Sequence, residues 1–424
     1  MITSPTFRGK RYIVLGLARS GVATVEALLA SGAEVVAWDS REEARDAVSG
    51  VTFADPLEID LAGFDGVVVS PGVPLNKHPI AAHARKANVP VIGDIELFAL
   101  ARSSLPPHKV VGITGTNGKS TTTALIHHIL ETAGVPTLMG GNIGLPILSQ
   151  NPLPEGGVYV LELSSYQIDL TFSLDCDVAV LTNITPDHLD RYDGFEDYTA
   201  SKLRLFSMQA PLHDAVVGEP HLGERWLAPL IPNTNLWLAL DYRDRQANWP
   251  ALQGPHNHQN AACAIATCEA LGLAEGVIEQ GLRTYPGLPH RMERVAEKGG
   301  VLYVNDSKAT NATATAPALA AYPKIHWILG GIPKTDDLDD CAPFFGHVRA
   351  GYTIGQAGPM FANILRIAGK PVTESGTLAQ AVNDAAAAAQ PGEVVMLSPA
   401  CASFDQFKDY EARGDAFRAA VGAL

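Results

Sequence analysis

One stretch, Val110 to Thr123 (VVGITGTNGKSTTT), narrows what this chain can fold into. Val110, Val111 and Ile113 supply β-branched residues to a short apolar run, which predicts a buried strand. The run breaks into Gly115-Thr116-Asn117-Gly118. Lys119-Ser120-Thr121 then leads into Ala124–Leu130, where the apolar spacing predicts a helix. Strand, glycine turn, lysine with hydroxyl, and helix together make a phosphate cradle. The glycines let backbone N–H groups approach phosphate oxygens because no Cβ intervenes, and the helix N-terminus adds about half a positive charge. Lys119 is placed to reach the outer phosphates and Ser120 to offer a hydroxyl to Mg²⁺. The loop is a variant, because the strict pattern has a glycine where this chain has Ile113.

A chain of 424 residues, 46% hydrophobic and 18% charged, has apolar material for several packed cores and allows two to four domains. Its formal charge of −14 argues against a nucleic-acid partner, since such surfaces are basic. Local cationic pockets for an anionic small molecule remain compatible with it. Five cysteines without a CxxC pair or zinc spacing read as free buried thiols in a reducing cytosol. No apolar run approaches the length of a membrane span and no leader precedes the first strand, so the expected location is cytoplasmic.

The first segment, 1–105, opens with a strand at Arg11–Leu15, a loop Gly16 to Gly21, a helix, and a strand ending at Asp39. This βαβ unit carries a degenerate dinucleotide loop with an acid where a ribose ligand belongs, so on these residues alone an NAD-dependent oxidoreductase is a fair reading. A buried strand Gly66–Val69 then runs into Ser70-Pro71-Gly72, a strand Val89–Ile92 follows, and Ser103–Pro107 reads as a linker. In the central segment, 106–288, Gly140–Gly144 is a second glycine turn containing Asn142. Val158–Glu162 is a strand ending in a carboxylate that suits Mg²⁺, followed by Ser164-Ser165-Tyr166-Gln167. Val178–Asn183 is a strand whose exit gathers Asp187, His188, Asp190 and Arg191, and Tyr198–Met208 is a helix with Leu203 and Phe206 on its buried stripe. By spacing alone Lys202 on that helix is a solvated lysine. Asn257 and Asn260 lie three apart at the start of a helix from Ala261, where their amides can read a base or cap the helix. The third segment, 289–424, alternates strands and helices as another doubly wound domain. Its strand ends gather Asp306, Lys308, Thr310, Lys334 and Ser403, and two lysines with hydroxyls suit a small dicarboxylate.

Nine motifs in order carry a resemblance: TGTNGKST, GGNIG, ELSSYQ, NITPDHLDRY, the lysine of ASKLRLF, GPHNHQNAACA, GLPHRME, NDSKATN and SPACASFDQF. Across essentially the whole chain they resemble the Mur ligase family of peptidoglycan synthesis, and NDSKATN and SPACASFDQF point to its D-glutamate-adding member. The resemblance implies an α/β protein of three domains: an N-terminal Rossmann-like UDP-binding domain, a central P-loop-type ATPase domain and a C-terminal Rossmann-like amino-acid domain. It replaces the NAD reading of the Gly16 loop. Arg19, Ser20, Ser40, Arg41, Ser70, Pro71 and Gly72, with Asn142, Gln167 and His188, would hold the UDP substrate, UDP-MurNAc-L-Ala. Gly115, Thr116, Asn117, Gly118, Lys119, Ser120, Thr121, Asn257, Asn260, Arg291, Asp306 and Lys308 would hold ATP. Thr310, Lys334, Ser403, Phe404 and Tyr410 would hold D-glutamate. Lys119, Glu162, His188 and Lys202 would be catalytic. Ser120, Glu162, His188 and a carbamylated Lys202 would serve two Mg²⁺ ions. The implied enzyme is a cytoplasmic monomer that consumes ATP in making a cell-wall precursor, and so bears on cell shape and division. Its sites come from three domains, so closure before chemistry is expected.

Overall fold

The computed structural model describes residues 1–187, 191–219 and 234–424. By its packing the chain falls into two compact units, Met1–Asp241 with Gln259–Gly281, and Tyr242–His258 with Leu282–Leu424. Two parallel sheets build the first unit. One contains β1 (Arg11–Leu15), β2 (Glu34–Trp38), β3 (Thr52–Phe53), β4 (Gly66–Val69) and β5 (Val91–Ile92) in the order β3-β2-β1-β4-β5. The other contains β6 (His108–Thr114), β7 (Thr137–Gly141), β8 (Gly157–Glu162), β9 (Val178–Leu181), β10 (Asp214–Val217) and β11 (Asn235–Leu238) in the order β11-β10-β9-β6-β8-β7. Every residue of β4, β8 and β9 is buried, as expected of parallel strands covered on both faces.

These two sheets share one apolar cluster running from Val14 and Phe98 through Tyr159 to Leu181. Backbone bonds join them as well: Gly93 N donates to Leu170 O at 2.9 Å and Ile2 N to Leu148 O at 2.9 Å. The buried Glu96 carboxylate accepts from Phe172 N (2.6 Å), Ser173 N (2.9 Å) and Ser173 Oγ (2.7 Å).

The second unit is built on β12 (Glu293–Lys298), β13 (Val301–Asn305), β14 (Ile325–Gly330), β16 (Val348–Ile354), β17 (Val372–Gly376) and β18 (Val394–Leu397), in the order β12-β13-β18-β14-β16-β17. Only the β12–β13 pair of this sheet is antiparallel. A short antiparallel ribbon pairs β15 (Ile332–Pro333) with β19 (Cys401–Ala402). Two apolar clusters, one around Trp327 and one around Phe417, cover its two faces.

One topological device recurs three times. β1 lies between β2 and β4, β6 between β8 and β9, and β18 between β13 and β14. Where the chain leaves a strand toward opposite sides of its sheet, the strand exits splay and open a crevice at their carboxyl ends. TGTNGKST, ELSSYQ, NDSKATN and SPACASFDQF sit at these exits, after β6, β8, β13 and β18.

Several elements differ from expectation. β5 begins after Pro90, which has no N–H for the ladder, although Pro90 O still accepts from Val67 N at 2.9 Å. The helix expected from Tyr198 begins at Phe195, and the helix expected from Ala261 begins at Pro255, so Asn257 falls in its first turn. Gly140 and Gly141 close β7 rather than belonging wholly to a turn. The sequence does not predict the strands β3, β7, β10, β12, β15, β17 and β19; β3, β7, β12 and β17 are sheet-edge strands, and β15 and β19 are two residues long. All five cysteines are free and buried. Among the described residues no helix is long and apolar enough to cross a membrane.

Candidate active site

The phosphate turn is shaped by contacts that exclude side chains. Gly115 has φ +145°, and a Cβ there would lie 2.0 Å from Thr182 Oγ1; Gly118 has φ +83°, and a Cβ there would lie 2.1 Å from Asn260 Oδ1. Neighbouring strand exits hold the turn in place. Thr116 N donates to Asn183 O (2.9 Å), Asn117 N to Asn183 Oδ1 (2.9 Å), and Thr182 Oγ1 to Asn117 O (2.7 Å). Asn183 Nδ2 also donates to Gln259 Oε1 at 3.0 Å. Thr116 Oγ1 lies 3.1 Å from Tyr198 OH. Thr182, Asn183 and Tyr198 thus shape the turn; Asn183 opens the NITPDHLDRY motif but is given no role of its own there, and nothing in the spacing of Thr182 and Tyr198 distinguishes them from strand and helix residues. The helix Lys119–Thr132 starts at the turn and buries Ser120 and Thr121.

Two lysines converge on one oxygen of this turn. Lys119 Nζ donates to Gly115 O at 2.9 Å and to Thr116 O at 2.8 Å, and Lys202 Nζ donates to the same Gly115 O at 2.8 Å. Lys202 is 2% exposed, so its reading as a solvated helix lysine is corrected. The helix turns Lys202 inward beside Leu203 and Phe206, and its Nζ lies 4.5 Å from the Tyr198 ring centroid. Burial and then the Lys119 cation pull the Lys202 ammonium down to about 7, against the opposing pull of Asp187 and Asp169. Near neutral pH much of this side chain is therefore a free amine.

Glu162, at the end of β8, is paired in register with Ile113 of β6, one strand over from the turn. Asn142 fastens it from β7: Asn142 N donates to Glu162 O at 2.8 Å and Asn142 Nδ2 to Glu162 Oε1 at 3.0 Å. Glu162 Oε2 is buried with no hydrogen-bond partner among the described residues. A buried carboxylate oxygen without a donor is costly unless a cation meets it, so Glu162 fits a metal ligand. Among the described residues no three His, Cys, Asp or Glu side chains cluster as a ready-made cage. His188 lies outside the described residues. Gln167 Oε1 accepts from Ser164 N at 3.1 Å and Ser164 Oγ accepts from Gln167 N at 3.3 Å, a capping box that fixes the loop after Glu162.

In the first sheet, Gly16 has φ +92° and packs on Ser70, whose Oγ donates to Gly16 O at 2.9 Å. Asp39, read as a ribose ligand on sequence alone, instead ties loops together. Its carboxylate accepts from Leu17 N (2.8 Å) and Arg41 N (3.0 Å). Burial would raise its pKa, but these amides and the Arg41 guanidinium hold it below the usual carboxylate value. Arg19 Nη2 donates to Gly144 O at 2.9 Å, linking the first loop to the turn that carries Asn142. Ser20 and Pro71 line a small gap behind these loops, whereas Ser40, Arg41 and Gly72 are exposed at the rim. A cleft of about 440 Å³ continues from Pro71 to Tyr166, Asp169 and Arg191, whose guanidinium stacks 4.3 Å from the Tyr166 centroid.

In the second unit the motif residues share one end of the sheet. His290 (φ +60°) and Met292 (φ +50°) flank Arg291, and Ala400 (φ +54°) sits in the loop after β18. Left-handed backbone at non-glycine residues is strained and persists where the surroundings impose it. Here Lys308 N donates to His290 O at 2.9 Å and Met292 N to Asp306 Oδ1 at 3.1 Å. Asp306 Oδ2 accepts from Ser398 Oγ at 2.7 Å, and burial raises the Asp306 carboxyl to about 7. Lys308 Nζ stands 5.8 Å from the Tyr410 ring centroid. Ser403 is buried, Thr310 half-buried, and Lys334 and Phe404 exposed, the last at 70%. Asn257 Nδ2 donates to Gln253 O at 3.1 Å.

Three family descriptions cover the chain in order: the MurD-like N-terminal domain over residues 10–93, the Mur ligase middle domain over 113–226 and the glutamate ligase domain of Mur ligases over 290–401. The UDP-N-acetylmuramoylalanine–D-glutamate ligase of Novosphingobium aromaticivorans is 65% identical, over 100% of this chain and 97% of its own length. The protein of the same name from Sphingopyxis alaskensis is 65% identical over 100% of both chains. Among solved structures, the MurF ligase of Thermotoga maritima in complex with ADP matches at 16% identity with a TM-score of 0.58, covering 98% of this chain and 96% of that one, a likeness of fold. With three ordered domains and full-length relatives at this identity, the chain belongs to the Mur ligase family.

Proposed function

We infer that the chain is an ATP-dependent amide ligase that joins D-glutamate to UDP-N-acetylmuramoyl-L-alanine in peptidoglycan precursor synthesis. A carboxylate is a poor electrophile, so the terminal carboxylate of the UDP substrate attacks the γ-phosphorus of ATP and ADP departs. The resulting acyl phosphate is attacked by the D-glutamate amine, and the tetrahedral intermediate collapses to the amide with loss of phosphate and a proton. Every reactant is anionic, so the barrier is electrostatic.

The convergence of Lys119 and Lys202 on Gly115 O, one strand from the Glu162 carboxylate, carries this reading. In it, the Gly115–Thr121 turn wraps the phosphates, with Lys119 on the outermost. Ser120, Glu162, His188 and Lys202 would hold magnesium, at two sites, where it would supply positive charge against the charge that develops on the transferred phosphate. A buried amine near neutrality is the form that adds CO₂, and the carbamate so formed exchanges a cation for an anionic ligand beside Glu162. Arg19, Ser20, Ser40, Arg41, Ser70, Pro71 and Gly72, with Asn142, Gln167 and His188, serve the UDP substrate. Asn257, Asn260, Arg291, Asp306 and Lys308 complete the ATP site, and Thr310, Lys334, Ser403, Phe404 and Tyr410 the D-glutamate site. The domain division is 1–105, 106–288 and 289–424, and the protein works as a cytoplasmic monomer.

Mass analysis of the product from UDP-N-acetylmuramoyl-L-alanine, ATP and each glutamate enantiomer tests the reading. A glutamyl adduct with the D enantiomer and stoichiometric ADP is expected. Strict dependence on L-glutamate or on another amino acid would overturn the D-glutamate assignment, and tight NADH binding in a fluorescence titration would reopen a dinucleotide role for the Gly16 loop.

A further inference from the structure

Arg413, in the first turn of the helix Tyr410–Ala423, is 1% exposed. Among the described residues no carboxylate stands within ion-pair distance of it. Its guanidinium is instead spent on the backbone of strand exits. Nε donates to Ser307 Oγ at 3.0 Å, and Nη2 donates to Ser307 O at 2.9 Å and to Cys401 O at 3.0 Å. Ser307 Oγ passes the link back to the helix by donating to Tyr410 O at 2.8 Å. Nη1 is buried with no hydrogen-bond partner among the described residues and lies 3.2 Å from where a Cβ on Gly331 would be. Ser307, Gly331 and Cys401 follow β13, β14 and β18, the three adjacent strands of the splayed exit. Thr310, Lys334 and Ser403 lie two or three residues beyond them in the chain. The β15–β19 ribbon transmits the constraint, because Pro333, next to Lys334, is paired with Cys401, whose carbonyl Arg413 holds.

The Asp405 carboxylate acts on this guanidinium only from beyond ion-pair distance, so its burial is costly and an apolar side chain of the same volume would fill the space at lower cost. What the apolar chain lacks is a planar fork with donors at fixed angles, which here holds the strand exits at Ser307 and Cys401 together. We propose that Arg413 is the positioning residue of the amino-acid site, setting the spacing of Thr310, Lys334 and Ser403, and so the affinity for the amino acid, without touching it. This rests on the D-glutamate reading of that crevice.

The test measures KM for D-glutamate, ATP and the UDP substrate in Arg413→Lys, Arg413→Ala and Ser307→Ala, with melting temperatures alongside. Arg413→Lys keeps the charge and loses the fork, so its KM for D-glutamate is expected to rise at least tenfold while the other two KM values stay within threefold. Ser307→Ala, which removes one acceptor and leaves the guanidinium, is expected to raise the same KM three- to tenfold. Millimolar guanidinium is expected to restore part of the loss in Arg413→Ala. A normal D-glutamate KM in Arg413→Lys, or a fall in kcat with all three KM values unchanged, overturns the proposal. If Arg413→Ala does not fold, Arg413→Lys and Ser307→Ala decide it. If the unaltered enzyme requires a different amino acid, the D-glutamate reading fails by itself, and the same KM split measured with that amino acid decides the role of Arg413.

Discussion

At Lys202 burial lowers the ammonium pKa, and at Glu162 it leaves one carboxylate oxygen without a partner among the described residues. The Lys202 amine titrates near 7 in the fold against 10.5 for an ordinary lysine, so between those values the unfolded chain binds more protons than the folded one. Stability therefore rises with pH across that window, by up to about 1.4 kcal/mol per pH unit. In CO₂-free buffer, urea midpoints are expected to climb from pH 7 to pH 9 in the native chain and to stay level in Lys202→Met. Lys202→Ala is expected to lose at least 100-fold in ligase rate and to regain part of it with a small added carboxylic acid. Recovery by acid separates a ligand role from a packing role. Glu162→Gln keeps an acceptor for Asn142 and puts an amide where the unpartnered oxygen stands. Its kcat should fall about 100-fold, roughly 3 kcal/mol of barrier, with the Mg²⁺ dependence of ADP release moved to higher concentration and the melting temperature within a few degrees of normal.

At the scale of elements, glycines and buried carboxylates set how closely segments approach. Gly118 combines φ +83° with Asn260 Oδ1 at 2.1 Å from its missing Cβ, so the alanine variant must move either the phosphate turn or the helix that carries Asn260. Gly118→Ala is expected to cost about 1–3 kcal/mol in urea unfolding and to raise KM for ATP more than KM for the UDP substrate. Glu96 fastens the first sheet to the second through three donors at Phe172 and Ser173. Glu96→Ala leaves those donors without their charged acceptor and should cost about 3 kcal/mol. Hydrogen exchange at the amides of Phe172 and Ser173 is the direct readout, and unchanged protection there would mean the latch is dispensable.

For the molecule as a whole, the first unit owns apolar clusters around Phe98 and around Val67, and the second owns those around Trp327 and Phe417. Units with separate cores need not unfold together. Calorimetry is expected to resolve two transitions, of which the one belonging to Met1–Asp241 moves up when the UDP substrate is added. One transition with equal calorimetric and van't Hoff enthalpies would show that the two cores melt as one.

The local chemistry of the chain was legible in its residues. A β-branched run stopping at Gly115 reads as a strand meeting a turn, and Lys119-Ser120 behind two glycines reads as a cradle for an anion, because backbone sterics and helix ends favour both. The motifs at the ends of β8 and β13 could be read as strand exits for the same reason. Placement depended on segments distant in sequence. Spacing along its own helix put Lys202 in water, and only the packing of that helix against β6 puts its amine on Gly115 O and lowers its pKa. Asp39 looked like a ribose ligand until the Leu17 and Arg41 amides took its oxygens. Thr182 and Arg413 gave no local sign at all. Periodicity reports which face of an element is apolar, whereas the partner of a buried polar group is chosen by which strand exits the sheet order brings together, and that is decided only in three dimensions.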